Sequence, residues 1–183
     1  LHDALPISGR KAIVTGSATG LGRSIALRLA ERGADVIINC TKSVADAEQT
    51  VSDCQAVGAQ ARLVQADVST EDGCKALAEA ASAWGRLDIL VNNAGITRHA
   101  RDHADLDALS RQDFLDIYAV NVAGPFLMMQ ACKSLLIGHL TRRRSQDLAT
   151  FGSALHACLH LSKNSYYVGA SLSTRPGRAA EGF

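Results

Sequence analysis

Aromatic rings are scarce in this 183-residue chain, at 4% against a hydrophobic content of 47%. The apolar material is therefore aliphatic, which suits a helix-rich α/β protein of one domain with a sizeable core. Charge of one sign is lacking too. Nineteen basic and 18 acidic residues leave a formal net charge of +1, which removes the electrostatic case for nucleic acid or a membrane surface as the main partner. The five cysteines, Cys40, Cys54, Cys74, Cys132 and Cys158, stand singly with no C-x-x-C pair. This excludes a disulfide framework and a structural zinc site, and no histidine spacing supplies a metal site in their place. No apolar run approaches the roughly 18 residues needed to span a bilayer. A cytoplasmic protein with a small-molecule ligand is expected.

Residues 1–8, LHDALPIS, lack the basic start and apolar core of a secretory signal. They back-translate to the end of a common sequencing adapter and are read as a non-native leader, with a native tail as the alternative. From residue 10 to about 136, β-branched runs alternate with amphipathic stretches, the pattern of a parallel sheet covered by helices on both faces. Strands are expected at 11–15, 35–40, 62–65 and 89–92. One helix is expected over 22–32, closed by Gly33. Another is started by Ser69 with Asp72 three residues on, and is ended by Gly85. The expected fold is a doubly wound parallel α/β sheet, truncated in its C-terminal part.

The first strand meets the first helix through Thr15-Gly16-Ser17-Ala18-Thr19-Gly20-Leu21-Gly22. Three glycines let the backbone turn sharply and approach a pyrophosphate, and the helix start offers unpaired N–H groups and a positive dipole end. Ser17 and Thr19 are expected to add hydroxyl donors. Glycines between strand and helix also serve plain turns, so the company this loop keeps decides the matter. Asn92-Asn93-Ala94-Gly95 follows the fourth strand, where small residues leave room for a ligand.

The spacing G-x-x-x-G-x-G after a Thr, together with N-N-A-G on the right strand, resembles the short-chain dehydrogenase/reductase family over residues 9–136. Within it, the N-terminal pattern is similar to the 3-oxoacyl carrier-protein reductase branch, a pattern that sugar and alcohol dehydrogenases share. The resemblance implies a nicotinamide-dependent oxidoreductase acting on a carbonyl or alcohol, with a 3-oxoacyl thioester as a candidate substrate, and a homo-oligomer in the complete family member. It implies an adenine contact for Asp67 in Ala66-Asp67-Val68, where capping the turn before Ser69 is the structural alternative. At the end of the second strand an acid would grip a ribose 2′-hydroxyl. Asn39-Cys40-Thr41-Lys42-Ser43 holds none, so Thr41 and Lys42 favour NADP(H) over NAD(H), unless Lys42 is only a solvated surface residue.

Residues 111–136 read as one long helix whose inner stripe contains Phe114, Ile117, Tyr118 and Asn121. Pro125 has no N–H, so the Asn121 carbonyl loses its helical donor and a kink is expected. Asn121-Val122-Ala123-Gly124 matches the family's N-V-x-G, which implies that Asn121 is the active-site Asn whose carbonyl holds a water of the proton relay.

The family's Tyr with a Lys four residues later is missing: Tyr166 leads to Ala170 and Tyr167 to Ser171. Ser153, thirteen residues before Tyr166, is read as coincidence. Beyond residue 137 the alternation stops, and six Lys or Arg face two acids. A boundary is placed near 137. The tail is read as the product of a shifted reading frame, with a divergent tail whose Arg142, Arg143 and Arg144 bind an acidic partner as the rival. The chain as written is expected not to turn over substrate, and a non-catalytic nucleotide-binding protein is the alternative function.

Overall fold

The computed structural model describes residues 7–99, 105 and 107–140, and for 137–140 the backbone alone. Four strands, β1 (Lys11–Val14), β2 (Asp35–Cys40), β3 (Ala61–Gln65) and β4 (Ile89–Val91), form a parallel sheet in the order β3-β2-β1-β4. Helices α1 (Gly20–Glu31), α2 (Val44–Ala56) and α3 (Glu71–Ser82) connect them, and α4 (Arg111–Tyr118) runs through a π-helical turn at Ala119–Ala123 into α5 (Gly124–Leu140). The doubly wound architecture is the one expected.

Each strand is apolar on both sides, as a sheet covered on both faces requires. Val14, Val36, Ile38 and Val91 face one core with Ala26 and Ala30 of α1 and Ala47 and Cys54 of α2. Ile13, Ile37 and Leu90 face the other, against Cys74, Leu77 and Ala81 of α3 and Met128 and Cys132 of α5. Burying the alanine rows of α1 lets the helix lie close on the sheet. Ile7, inside the leader set aside above, lies against the first core.

Local details differ from expectation in two places. Thr70, not Ser69, caps α3, accepting the Gly73 N–H at 3.1 Å. Ser69 is already engaged, because the Asp67 carboxylate takes both its N–H, at 2.9 Å, and its hydroxyl, at 2.7 Å. The expected inner stripe of α4 is also corrected. No residue of α4 is buried, Phe114 and Tyr118 are 63% and 60% exposed, and the helix packs chiefly on its own continuation. Spacing alone names a face without saying whether anything lies against it. No helix among the described residues is long and apolar enough to cross a membrane, and no group of His, Cys, Asp or Glu among them could hold a metal ion. The tail at 141–183, with Ser153 and Tyr166, lies outside the described residues.

Candidate functional site

The chain leaves β1 in one direction, toward β2, and later returns to the opposite side of β1 as β4. Loops from adjacent carboxyl ends therefore part company there, and a crevice opens. A cavity of about 680 Å³ occupies it. Its walls are the glycine loop (Gly16, Ala18, Thr19), the end of β2 (Cys40, Thr41, Lys42, Ser43), the end of β3 (Asp67, Val68, Ser69), the run Asn93, Ala94, Gly95, Ile96 after β4, Arg98, and Asp116, Ala119 and Val120 from α4 and the π turn.

The glycine loop is built around Thr15. Its hydroxyl oxygen accepts the N–H groups of Asn93 and Ala94, both at 3.0 Å, and its own proton points to the Val91 carbonyl at 3.4 Å. Asn93 returns the contact, its Nδ2 donating at 2.9 Å to the carbonyls of Thr15 and Gly16. Side chains could not fit between these pieces. A Cβ on Gly22 would lie 2.3 Å from the Gly16 carbonyl oxygen and 2.4 Å from Asn93 Nδ2, and one on Gly16, at φ +60°, would lie 2.8 Å from Ala94 Cα.

The loop ends at an open helix terminus. Thr19 precedes α1 without lending its hydroxyl to the helix, and no acid occupies the first turn. By contrast α2 has Asp46 there, α3 has Thr70, Glu71 and Asp72, and α4 has a reciprocal Ser110–Asp113 capping box. Among these four helices α1 alone has neither a side-chain cap nor an acid in its first turn, which suits an anionic ligand.

Ser17 needs correction. Its hydroxyl is fully buried, donates to the Val14 carbonyl at 2.6 Å and accepts the Asn39 N–H at 3.0 Å. It braces the loop and offers nothing to a ligand. Gly20, Leu21 and Gly22 likewise shape the loop and helix start without lining the cavity. Of the β2 end, Cys40, Thr41, Lys42 and Ser43 line it while Asn39 is 2% exposed and turned inward.

Asn121 acts through its side chain on the opposite wall. Its Oδ1 accepts the Ile96 N–H at 2.8 Å and its Nδ2 donates to the Ile96 carbonyl at 2.9 Å. One amide thus pairs with one peptide unit, as a neighbouring strand would. The helix departs from α geometry around it in the π turn, with Gly124 N–H reaching back to the Ala119 carbonyl. Such insertions concentrate at functional positions. A second tether lies beside the first: Arg98 pairs with Asp113 at 3.2 Å. The Asp113 carboxyl is held below its ordinary range by the Ser110 hydroxyl first, then by the Ser110 N–H, with Arg98 adding to both.

The structure therefore gathers Gly16, Thr19, Thr41, Lys42, Asp67, Val68, Asn93, Ala94 and Gly95 around one cavity, and sets Asn121 behind it, 3.5 Å from where a Gly95 Cβ would stand. Arg98 and Asp116 also line the cavity and were missed. Neither belongs to a glycine or asparagine motif, and only the Asn121 clamp and the Arg98–Asp113 pair bring them to the wall.

A family model described as short chain dehydrogenase matches residues 10–149, past the boundary placed near 137. The chain is 38% identical to a 3-oxoacyl-(acyl-carrier-protein) reductase of Staphylococcus aureus over 81% of its own length and 57% of the relative's. It is 34% identical to trihydroxynaphthalene reductase of Colletotrichum orbiculare over 75% of the chain and 51% of that protein. Among solved structures, a short chain dehydrogenase from Burkholderia cenocepacia in complex with NADP superposes with a TM-score of 0.66 at 39% identity, covering 71% of this chain and 52% of that one. One from Burkholderia phymatum in complex with NAD superposes with a TM-score of 0.66 at 28% identity, covering 73% and 46%. The chain spans about half the length of the curated relatives it matches.

Proposed function

The chain belongs to the short-chain dehydrogenase family, and we propose on that premise that residues 9–136 bind NADP(H) for an oxidoreductase that reduces a carbonyl or oxidises an alcohol. The observation that carries the cofactor reading is the wall at the end of β2, where Thr41, Lys42 and Ser43 line the cavity and no acid stands among residues 39–43. A 2′-phosphate there meets a cation and two hydroxyls, whereas a 2′-hydroxyl finds no carboxylate to receive its proton. The open space beside Gly20, where a Cβ would meet nothing within 4 Å, and the uncapped start of α1 fit the pyrophosphate. Asp67, with one oxygen committed to Ser69, would offer the other to the adenine amino group. The bound nicotinamide supplies the hydride. The clamp from Asn121 to Ile96 holds the wall on which that ring would rest, and the Asn121 carbonyl, which Pro125 cannot serve as donor, would be free to hold a water.

Likeness to the Staphylococcus aureus reductase supports a 3-oxoacyl thioester as substrate, and membership of the family supports a homo-oligomer. The free thiols of Cys40, Cys54, Cys74 and Cys132 suit a reducing cytoplasm. No tyrosine of the chain has a Lys four residues later, since Tyr118, Tyr166 and Tyr167 lead to Val122, Ala170 and Ser171. An unassisted phenol has a pKa near ~10, so the chain as written is expected to bind nucleotide without turnover.

Titration of the 183-residue chain with NADPH and NADH tests the cofactor reading. Tighter binding of NADPH is expected, and tighter binding of NADH overturns it. Oxidation of NADPH in the presence of an acetoacetyl thioester would overturn the prediction of no turnover and return Ser153 and Tyr166 to consideration. Resequencing codons 130–183 separates a shifted frame from a divergent tail.

A further inference from the structure

Asn39 stands one residue from the end of β2, almost wholly buried, and every polar group it owns is engaged. Its Oδ1 accepts the Gly16 N–H at 3.1 Å. Its Nδ2 donates to the carbonyls of Val64 at 3.1 Å and Ala66 at 3.0 Å, with the Cys40 carbonyl at 3.5 Å. Its main chain is bound just as fully: its N–H donates to Ser17 Oγ at 3.0 Å, and its carbonyl accepts the Ser17 N–H at 2.9 Å. One side chain therefore joins the crest of the glycine loop, β2 and the end of β3. These are the three segments whose next residues form the cavity wall from Ala18 and Thr19 through Thr41 and Lys42 to Asp67 and Val68.

We propose that Asn39 is a positioning residue for the nucleotide, setting the separation between the phosphate loop and the wall that takes the adenosine end without touching the ligand itself. The inference rests on the dinucleotide reading of the cavity. Its chemical basis is that an amide alone meets the demand made here, one acceptor toward Gly16 and two donor hydrogens toward two carbonyls. Aspartate keeps the acceptor but turns oxygen toward the Val64 and Ala66 carbonyls, and alanine takes a partner from each of the three groups in a buried place, where such losses are costly. A corollary concerns the ligand. Because Asn39 occupies the Gly16 N–H, a phosphate must be met by N–H groups further along, at the start of α1.

The test compares wild type with Asn39→Asp and Asn39→Ala in the full chain, measuring NADPH and NADH affinity well below the melting temperature, the melting temperature itself and exchange of the Gly16 amide hydrogen. Asn39→Asp is expected to weaken both nucleotides alike, by about tenfold, leaving their ratio unchanged. The Gly16 amide should exchange faster in Asn39→Ala and remain protected in Asn39→Asp. Wild-type affinity in both variants, with only the melting temperature lowered, would make Asn39 a packing residue and overturn the inference alone. Wild-type protein that binds neither nucleotide overturns the dinucleotide reading and this inference with it. A measurement on wild type alone covers variants that fail to fold: the Gly16 amide should be protected before nucleotide is added and unchanged after. Free exchange that is suppressed only on binding would show that the ligand, not Asn39, is its acceptor.

Discussion

The junction of β1 with β4 and the arm that begins at Arg111 face the same cavity and are held in opposite ways. At the junction Thr15, Ser17 and Asn39 are buried, each with its polar groups bonded, and Gly16 and Gly22 lie where a single methyl would strike backbone. The arm has no buried residue in its first two turns and shows Phe114, Leu115, Tyr118 and Phe126 to solvent among the described residues. It is tied to the site by side-chain hydrogen bonds, Asn121 to Ile96 and Asp113 to Arg98. Steric exclusion fixes the phosphate half of the site; in the other half polar tethers hold the α4 end, while Met128 and Cys132 anchor α5 in the second core. The first fails abruptly when a group is added, the second by degrees as tethers are removed.

Gly22→Ala should have the largest effect, because its Cβ meets the Gly16 carbonyl and Asn93 together. Forcing backbone apart here costs about 3 kcal/mol, the upper end of the usual range for overpacking, read as a lowered melting temperature with loss of NADPH binding. A variant that melts and binds like wild type would show the junction to be as yielding as the arm.

Asn121→Ala removes two hydrogen bonds from one peptide unit, a loss of about 1–3 kcal/mol. Its signature should be local: faster exchange of the Ile96 amide, and weaker binding of NADPH without weaker binding of adenosine 2′,5′-bisphosphate, which lacks the nicotinamide half. Equal loss for both ligands would mean that Asn121 supports the whole fold instead of one wall.

Lys42→Asp leaves both regions intact, since Lys42 is exposed beyond β2. NADPH should bind about tenfold more weakly, or ~1.4 kcal/mol, with NADH and the melting temperature little changed. Unaltered NADPH affinity would return Lys42 to the solvated surface.

Acid should loosen the arm before the junction. The Asp113 carboxyl is held down by the Ser110 hydroxyl, the Ser110 N–H and Arg98, so the folded state takes up its proton less readily than the unfolded chain. Its contribution is present at neutral pH, begins to fall as pH drops into the ordinary carboxylate range near ~4, and is gone below the lowered folded value. A carboxyl titration by NMR should find Asp113 below the ordinary value, and Ser110→Ala should raise it. An ordinary value in the intact chain would show that the capping box does not hold. Smallest of all, Phe114→Ser should change stability by less than about 0.5 kcal/mol; a larger fall in melting temperature would reveal a cover over α4.

Much of the junction could be read from the chain, because its demands are those of backbone: glycines at fixed intervals between a β-branched run and a helix, then Asn-Asn-Ala-Gly after a second run. β2 was expected at the bounds found for it for the same reason. Side-chain direction was harder. Ser17 and Thr19 are equal as hydroxyls in a list, but one is sealed under the loop and the other lines the cavity; Ser69 is turned to the Asp67 carboxylate, whereas Thr70, bonded to the Asp67 carbonyl, accepts the Gly73 N–H. α4 departs most from its pattern, for its spacing matches a buried stripe and none of its residues is buried.

The order of glycines, the alternation of strand and helix and the absence of an acid at residues 39–43 followed from sequence alone, because each is a property of neighbours along the chain. Which groups meet was left to tertiary structure: Asn39 reaching Gly16 across 23 residues and the Ala66 carbonyl across 27, and Asn121 pairing with Ile96 across 25. Those partners become neighbours only when β1, β2, β3 and β4 lie side by side, and a hydrogen bond depends on distance in space, which no local pattern encodes.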